Sequence, residues 1–374
     1  MKKLLRNQLS DSCITMLDIV IAADKFKGTL TAVEACETIH CALEKRFPDA
    51  HFRICPMADG GEGTASLIAE ILNYKKVKIL CKNSLFEDID AEYFISSDGS
   101  KAIIDSSQVI GLLKLKSLPD PWHASSYPLG VVIRNILSEV RGVTVCIGGT
   151  STVDCGLGML QALGCVFMSK GKIISEPLTP DIIFSIDCID CSSENIVGRI
   201  DCVSDVDVPL LSDNGKSMLM FAPQKGVKQC DMQRLRMMVE HIVNVPWTEK
   251  PDFNCRYAGA GGGLGFAVNG VLRGKSVSGA EYMCEAYSIF NPVPDVIITG
   301  EGRFDEQSLT GKVAGYILSV SRRVGIKSFV IAGCVSDEIS DKDVLNSSVF
   351  FQDRPLNTDT AARRLAAVCE KLLV

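Results

Sequence analysis

The sequence predicts an α/β protein in which both chain ends build one parallel sheet and the middle of the chain forms a second, mixed α/β unit. Patterns of strand, polar loop and helix alternate near both termini, whereas the middle of the chain contains hairpin patterns. The chain has 374 residues. A single hydrophobic core usually stops growing at roughly 250–300 residues, so two domains are expected.

Two strand patterns near the N-terminus predict the first part of the sheet. "DIVIAA" (18–23) is a short β-branched run typical of a buried strand, and "FRICP" (52–56) is the second run. Between them, Thr31 and Glu34 form a capping-box pattern that predicts a helix start. The predicted apolar stripe of this helix comprises Val33, Cys36, Ile39, Leu43 and Phe47.

The same alternation returns near the C-terminus, where "DVIITG" (295–300) and "SFVIAGCV" (328–335) predict strands on either side of a helix. In the middle of the chain, hairpins are predicted around Asp98–Gly99 and Lys170–Gly171. We therefore expect an N-terminal extension, a sheet domain from both ends and an inserted domain. Their predicted bounds are 1–16 for the extension, 17–83 and 283–374 for the sheet domain, and 84–282 for the insertion.

Composition excludes several classes of protein. The net charge is −6 and no basic run is longer than a pair, so a nucleic-acid partner is not expected. No stretch approaches the roughly 20 apolar residues of a membrane helix, and the N-terminus lacks the apolar run of a signal peptide. Of the sixteen cysteines, only Cys188 and Cys191 have C-x-x-C spacing. Reduced thiols and a cytoplasmic location are therefore expected.

Seven short stretches are rich in glycines, in charged side chains or in both, and most of them follow an apolar run. They are "ADKFKGT" (23–29), "MADGGEGT" (57–64), "IGGTSTVDCGLGML" (147–160), "SDVDVPL" (204–210), "FAPQKG" (221–226), "GAGGGLGF" (259–266) and "TGEGRFDEQSLTGK" (299–312). Glycines let backbone N–H groups approach an anion, and a helix that starts after such a loop adds N–H donors. One such turn is often only a helix start, so the set as a whole indicates phosphate binding.

The charged residues of these stretches are the types that phosphoryl transfer requires, namely carboxylates for Mg²⁺ or a hydroxyl proton and cations for the phosphoryl group. They are Asp24, Lys27, Asp59, Glu62, Asp154, Asp205, Asp207, Lys225, Glu301, Arg303, Asp305 and Lys312. Glu62 and Asp305 are equally explained as carboxylates at helix N-termini, and Asp207 as a turn residue. None of the four histidines lies beside a motif, so a histidine base or metal ligand is not expected.

In order and wording, the seven stretches closely resemble the type I glycerate kinase family over essentially the whole chain after about residue 16. The resemblance implies ATP-dependent phosphorylation of D-glycerate, usually to 2-phosphoglycerate, with Mg²⁺. It also implies a flavodoxin-like domain from both chain ends and an inserted domain similar to restriction endonucleases, with the reaction expected in a cleft between the domains. D-glycerate and ATP are the expected partners, and a homodimer is left open.

The chemistry of the residues and the resemblance together predict the site. The predicted catalytic residues are Asp205, Asp207, Arg303 and Lys27. The predicted substrate contacts are Asp24, Lys27, Asp59, Gly60, Gly61, Arg303 and Gln307. The predicted nucleotide contacts are Gly148, Gly149, Thr150, Ser151, Gly300, Glu301, Gly302 and Lys312. Asp205 and Glu301 are the predicted Mg²⁺ ligands, and Asp205 is also the first candidate for the general base.

Three positions depart from the usual wording of the family. Lys25 stands where a serine is common, and Val153 and Val208 stand where asparagines are common. Because valine cannot form a hydrogen bond with a ligand through its side chain, the acceptor could be another small hydroxy acid. A third alternative is a catalytically silent protein that binds glycerate or a nucleotide.

Overall fold

The structure is a computed structural model that describes residues 16–26, 28–192, 198–204, 206–212, 216–306, 308–350 and 356–372. Three predicted site residues, Lys27, Asp205 and Gln307, lie outside the described residues. The contacts divide the chain into two units. Unit 1 takes in Met1–Pro56, Ile289–Asp305 and Ile317–Val374, and unit 2 takes in Met57–Ser288 and Glu306–Tyr316.

Helices and strands alternate near both ends of the chain, and the middle of the chain also contains runs of consecutive strands. The strands of the described residues are β1 (Asp18–Ala23), β2 (His51–Ile54), β3 (Lys75–Lys82), β4 (Asp88–Ile95), β5 (Lys101–Asp105), β6 (Gly142–Cys146), β7 (Val166–Ser169), β8 (Lys172–Ile173), β9 (Cys188–Asp190), β10 (Arg199–Ser204), β11 (Ser276–Ser278), β12 (Val296–Phe304), β13 (Lys327–Val335) and β14 (Val344–Asn346). The α-helices are α1 (Ala32–Glu44), α2 (Thr64–Ile71), α3 (Ser107–Ile110), α4 (Tyr127–Leu137), α5 (Leu157–Leu163), α6 (Pro180–Ile183), α7 (Met232–Asn244), α8 (Gly279–Ala286), α9 (Val313–Val324) and α10 (Thr358–Cys369). Within this described part, no helix has both the length and the apolar character needed to cross a membrane.

Unit 1 contains a five-stranded parallel sheet in the order β14-β13-β12-β1-β2. The prediction that β1 is a buried strand is confirmed, since Ile21 is fully buried between Ile298 of β12 and Ile54 of β2. Strands from the two ends of the chain therefore lie next to each other in one sheet. Counted along the chain, the strand order in this unit is 2-1-3-4-5, and it reverses between β1 and β12.

The predicted capping box at the start of α1 is confirmed. The Thr31 N–H donates to Glu34 Oε2 (2.8 Å), and the Glu34 N–H donates to Thr31 Oγ1 (3.2 Å). Ile39 and Leu43 of the predicted apolar stripe are buried, whereas Val33 is 42% exposed. The core-facing stripe of α1 is therefore narrower than the sequence pattern indicates.

Strand β12 is longer than the sequence predicts. The polar residues after "DVIIT" were expected to form a loop, but β12 continues to Phe304. The strand continues because β13 is equally long and pairs with it, with Glu301 beside Ala332 and Arg303 beside Cys334. The first part of this predicted ligand loop is therefore a strand.

Unit 2 contains a six-stranded sheet in the order β11-β10-β6-β5-β4-β3 and a small sheet in the order β8-β7-β9. In the larger sheet, β11, β10, β6 and β5 are parallel, whereas β4 and β3 are antiparallel additions. Both predicted hairpins are confirmed, β4–β5 around Asp98–Gly99 and β7–β8 around Lys170–Gly171. The middle of the chain is therefore mixed α/β.

The division between the units differs from the bounds expected from the sequence. The segment 57–83 was expected in the sheet domain of the two chain ends, but its strand β3 pairs over its whole length with β4, inside unit 2. The segment Glu306–Tyr316 also belongs to unit 2. A strand pattern alone does not reveal its pairing partner, so the sequence could not place β3.

One pair of cysteines differs from the expectation of reduced thiols. Cys165 and Cys191 form a disulfide, whereas buried cysteines such as Cys36, Cys146 and Cys155 have free thiols. The antiparallel pairing of β7 with β9 sets Val166 opposite Asp190, so the next residues outward, Cys165 and Cys191, face each other. This pairing could not be predicted from a local pattern, because the two cysteines are 26 residues apart along the chain.

Candidate functional site

The carboxyl edge of the unit 1 sheet brings together residues from both ends of the chain. Asp24 and Lys25 follow β1 directly, and the Asp24 N–H donates to the carbonyl oxygen of Gly300 on β12 (2.8 Å). Asp24 and Glu301 are both buried. Open α/β sheets bind ligands outside the carboxyl ends of strands, at the point where the strand order reverses. The two carboxylates lie at that point of the unit 1 sheet.

Gly300 is required by the packing of the sheet. A Cβ atom at this position would lie 2.4 Å from the carbonyl oxygen of Ile331 on β13. Gly302 follows two residues later in the same strand, and neither glycine has a positive φ. Strand packing is therefore the direct reason for Gly300, and a phosphate contact would be an additional role.

Arg303 lies near the end of β12 and Lys312 directly precedes α9, as the sequence predicts for Lys312. The Arg303 side chain is 68% exposed, and its Nε lies 3.4 Å from Asp305 Oδ2. Such an exposed ion pair contributes little to stability. Arg303 belongs to unit 1 and Lys312 to unit 2.

The carboxyl edge of the unit 2 sheet is organised around Asp105, the last residue of β5. Asp105 Oδ1 accepts a hydrogen bond from the Ala65 N–H (2.9 Å), and Oδ2 accepts one from the Gly63 N–H (3.1 Å). Burial raises the pKa of the Asp105 carboxyl to about 6, although these two hydrogen bonds act in the opposite direction. Asp105 thereby fixes the start of α2 and the end of the "MADGGEGT" stretch against β5.

One other predicted stretch and the start of α8 lie against the same loop. Gly149 follows β6 with a φ of 73°, and a Cβ there would lie 3.4 Å from the Cβ of Ser107 and 3.9 Å from the Cβ of Glu62. Gly279, at the start of α8, approaches so closely that a Cβ would lie 2.1 Å from the backbone nitrogen of Gly60. The structure therefore brings the predicted substrate loop, with Asp59, Gly60 and Gly61, beside the predicted nucleotide loop that begins at Gly148.

Three buried hydroxyl groups of this region have no hydrogen-bond partner within the described residues. They belong to Thr64, Ser106 and Ser107. Buried polar groups are bonded in the great majority of cases, and the exceptions call for an explanation such as a bound water or ligand. The three hydroxyls flank Asp105 along the chain and in space, so they add unused polar groups where the glycine-rich loops meet.

The predicted nucleotide residues Thr150 and Ser151 are held from inside unit 2. The Lys225 ammonium is buried and donates to Thr150 Oγ1 (2.8 Å) and to the Thr152 carbonyl oxygen (2.9 Å). Ser151 Oγ donates to the Ile110 carbonyl oxygen (2.8 Å). These contacts fix the shape of the loop, and they leave Gly148 and Gly149 as its predicted contacts with phosphate.

Asp207 uses both of its carboxylate oxygens within the protein. Its Oδ2 accepts from Arg256 Nε (2.9 Å), and its Oδ1 accepts from the Tyr257 N–H (2.8 Å). The hydrogen bond to Asp207 is the main cause that raises the pKa of Arg256. Asp207 is therefore engaged with Arg256 at the carboxyl end of β10, and its neighbour Asp205 is outside the described residues.

Two further residues singled out in the sequence lie in the interior. Asp154 is fully buried and accepts hydrogen bonds from the Ser126 N–H (2.8 Å) and the Gly158 N–H (3.3 Å). Burial also raises the pKa of Asp154. Val153 is packed in the hydrophobic core, so its side chain does not face a ligand. The departure at Val153 therefore alters core packing, and Asp154 ties the start of α5 to α4.

Sequence reasoning missed Asp105, Ser107 and Arg256. Asp105 and Ser107 belong to "IIDSS", whose acid and hydroxyls directly follow an apolar run, and this signal resembles that of the recognised stretches. It was interpreted only as the end of a hairpin. Arg256 precedes "GAGGGLGF" without any local signal, because its interaction with Asp207 spans 49 positions along the chain.

Comparison with known proteins identifies the family to which the chain is similar. The model of the glycerate kinase family matches residues 19–372. A glycerate kinase from Halalkalibacterium halodurans is 32% identical over 328 residues, covering 85% of this chain and 86% of the relative. The glycerate 2-kinase of Escherichia coli K12 is 32% identical over 340 residues, covering 86% of this chain and 87% of the relative. A provisionally assigned glycerate kinase 2 from Salmonella typhimurium LT2 has a solved structure with a TM-score of 0.75 and 26% identity, covering 95% of this chain and 96% of that one.

The family match covers nearly the whole chain, and the relatives named as glycerate kinases cover most of it. Both the strand order of the sheets and the glycine-rich loops at their carboxyl edges suit an enzyme that handles a phosphoryl group. This protein is therefore a kinase that belongs to the glycerate kinase family.

Proposed function

We propose that this kinase transfers the γ-phosphoryl group of ATP to the 2-hydroxyl of D-glycerate, giving 2-phosphoglycerate and ADP. The observation that carries the proposal is the carboxyl edge of unit 2, where two glycine-rich loops meet beside three buried hydroxyls without partners in the described part of the chain. Backbone N–H groups and hydroxyls at such a place suit phosphate oxygens. The E. coli relative named glycerate 2-kinase supports position 2 as the acceptor.

In the proposed reaction, the 2-hydroxyl oxygen forms a bond to the γ-phosphorus while the bond to the bridging oxygen of ADP breaks. The hydroxyl proton passes to a carboxylate, and Asp205 stays the predicted base because Asp207 is already bonded to Arg256. Gly148 and Gly149 would contact the phosphates through their backbone, and Asp59, Gly60 and Gly61 would line the acceptor side. Lys27 and Gln307 stay predicted contacts with the substrate, and Lys312 stays a predicted contact with the nucleotide. The location of the reaction in a cleft between the domains also stays a prediction.

Two carboxylates of unit 1 fit a magnesium ion. Mg²⁺ in kinases is usually held by one or two carboxylates together with phosphate oxygens. Asp24 and Glu301 are buried and lie at neighbouring positions on the β1–β12 edge, so we propose that they hold it, with Asp205 as a further predicted ligand. When bound, Mg²⁺ would neutralise charge on the phosphates.

Arg303 is proposed to bind the substrate or the transferring phosphoryl group.

The strand order supports a finer fold assignment. The order 2-1-3-4-5 of unit 1 is that of flavodoxin-like sheets, so we propose a flavodoxin-like unit 1 and a unit 2 related to restriction endonucleases. A cytoplasmic location and a homodimer stay predictions.

Release of ADP from ATP and Mg²⁺ tests the proposed reaction. D-glycerate, L-glycerate, tartronate and glycolate are offered separately, and the product is identified by NMR. We expect turnover with D-glycerate and a phosphorus coupling to the proton on C2. Turnover with another acid alone would favour the second alternative, a kinase of another hydroxy acid. Binding of glycerate or ATP without turnover of any acid would favour the silent binding protein.

A further inference from the structure

Arg256 is held in a fixed orientation at the carboxyl end of β10. Its Nε donates to Asp207 Oδ2 (2.9 Å), and its Nη2 donates to the Tyr257 hydroxyl (2.9 Å). The guanidinium also lies over the Tyr257 ring, 4.8 Å from the ring centroid. A surface arginine ordinarily loses side-chain entropy when it binds a ligand, but here that entropy is already lost.

The backbone next to Arg256 is in an unusual conformation. Tyr257 has a φ of 61°, in the left-handed region that bulky side chains rarely adopt. The Tyr257 N–H donates to Asp207 Oδ1 (2.8 Å), and its carbonyl oxygen accepts from the Ala260 N–H (2.9 Å). Strained residues of this kind persist where the surroundings hold them and are concentrated at ligand sites. In this backbone conformation, the Tyr257 ring and the Tyr257 hydroxyl both contact the Arg256 guanidinium.

Arg256 and the predicted acceptor loop are both linked to helix α8. The charge of Glu281, in the first turn of α8, acts on the Arg256 guanidinium. The first residue of α8, Gly279, packs against the backbone of Asp59 and Gly60. Helix α8 therefore carries a charge that acts on Arg256 at one residue and packs against the acceptor loop at another, within unit 2.

The guanidinium still has donors for a ligand. The Arg256 side chain is 68% exposed, and Nη1 has no hydrogen-bond partner among the described residues. An arginine with a carboxylate on one side and unused donors on the other is suited to a second anion that offers a pair of oxygens. Carboxylate and phosphate both present two oxygens in this way.

We propose that Arg256 binds an anionic group of a substrate, either the carboxylate of the acceptor or a phosphoryl oxygen, and that Asp207 orients it. The identity of the ligand rests on the proposed function. Asp207 would then be a positioning residue that acts through Arg256, because both of its oxygens are used to hold Arg256 and Tyr257.

Arg199 provides a matched control for the test. Like Arg256, it is exposed and binds an aspartate through Nε, with 2.9 Å between Nε and Asp201 Oδ2. It lies at the opposite, amino end of the same strand, β10. Arg256→Lys and Arg199→Lys therefore make the same chemical change at the two ends of one strand.

Steady-state kinetics of the full-length variants decide the proposal. We expect Arg256→Lys to lower kcat/KM about tenfold or more, because lysine keeps the charge but loses the planar donors. Arg199→Lys should stay within about twofold of the unsubstituted protein. A change in KM for D-glycerate alone identifies the carboxylate as the ligand, and a change in KM for ATP identifies a phosphate. Unchanged constants for both substrates in Arg256→Lys would overturn the proposal.

A double-mutant cycle tests the role of Asp207. Suppose that Asp207 acts only through Arg256. The double variant Asp207→Asn with Arg256→Lys should then be as active as the less active of the two single variants. Independent, multiplicative losses would show that Asp207 has a role of its own and would overturn this part of the proposal.

The proposed function can fail separately. If the unsubstituted protein transfers no phosphate to glycerate, the Arg256 proposal is decided by thermal unfolding with inorganic phosphate or D-glycerate. Stabilisation of the unsubstituted protein and of Arg199→Lys, but not of Arg256→Lys, would support it. Equal shifts in all three proteins, or no shift in any, would overturn it.

Discussion

At the scale of single residues, the buried carboxyl group of Asp105 makes the stability of the protein depend on pH. It holds the two N–H groups that begin α2, and burial raises its pKa to about 6. Since an unfolded aspartate titrates near pH 3.9, the folded protein binds a proton more readily than the unfolded chain between about pH 4 and 6. The contribution of Asp105 to stability is therefore largest below about pH 4 and is lost as the pH rises through 6.

The free energy of unfolding of Asp105→Asn should reveal this titration. The variant has no titrating group at this position. The advantage of the unsubstituted protein over the variant should grow by up to roughly 3 kcal/mol as the pH falls from 7 to 4. Urea denaturation of both proteins at several pH values measures the difference. A difference that does not vary with pH would contradict the raised pKa.

Arg303→Lys tests the proposed anion contact of unit 1. The change keeps the charge but removes the planar fork, so kcat/KM should fall about tenfold or more, equivalent to roughly 1.4 kcal/mol of transition-state stabilisation. Arg363→Lys is the control, because Arg363 also pairs through Nε with an aspartate, Asp359, and is exposed on α10. Kinetics with glycerate and ATP varied in turn measure both variants. Equal constants for the two variants would remove Arg303 from the site.

At the scale of elements, the start of α1 depends on its capping box. Thr31→Ala removes the hydroxyl that accepts the Glu34 N–H, and should lower the free energy of unfolding by about 1 kcal/mol. Thr38→Ala is the control inside the same helix, where the hydroxyl only bonds back to the Glu34 carbonyl oxygen. Alanine has the higher helix propensity, so this control should be neutral or slightly stabilising. Thermal and urea unfolding measure both, and equal losses would argue against the cap.

Local patterns predicted the elements better than their ends and partners. β1, the α1 capping box and the two hairpins are set by short stretches whose periodicity and turn residues act locally. The continuation of β12 to Phe304 is set by its long neighbour β13, and the position of β3 by its pairing with β4. The sequence of one strand does not indicate which other strand pairs with it, so neither feature could be predicted.

At the scale of the whole molecule, each unit has its own core and its own buried thiols. Ile298→Ala creates a cavity in the core of unit 1 and should lower its free energy of unfolding by about 2–5 kcal/mol. The buried Cys36 thiol should then react with a maleimide at lower urea concentration, whereas Cys155 in unit 2 should not change. Mass spectrometry after pulsed labelling measures both cysteines.

Leu160→Ala, in the core of unit 2, should produce the reverse pattern. If either variant exposed both cysteines together, the two units would unfold as one cooperative body and the expectation would be wrong.

Residue type alone predicted which loops lie at the edges of the sheets, and the roles of the individual site residues stay predictions. Glycines and charges in seven stretches predicted loops at sheet edges, and the structure places the unit 2 stretches 57–64 and 147–151 together. The bonding state of each side chain could not be predicted in this way. Asp154 accepts a hydrogen bond from the Ser126 N–H in the interior, and Asp207 accepts one from Arg256. The Ser151 hydroxyl donates to the Ile110 carbonyl oxygen and so fixes the shape of its loop. Those outcomes depend on neighbours dozens of residues away.

The position of β1 between β2 and β12 has a consequence for synthesis of the protein. Ala22 of β1 and Thr299 of β12 are bonded although they are 277 positions apart. At about 5–20 residues per second, the ribosome needs roughly 15–55 s to supply this partner after β1 has emerged. Unit 2, which lies almost entirely between them in the sequence, can fold during that time. The edge of the apolar strand β1 that pairs with β12 must wait during this time, although β2 follows soon after β1. Newly made chains should therefore depend on chaperones more than refolding of the complete chain does.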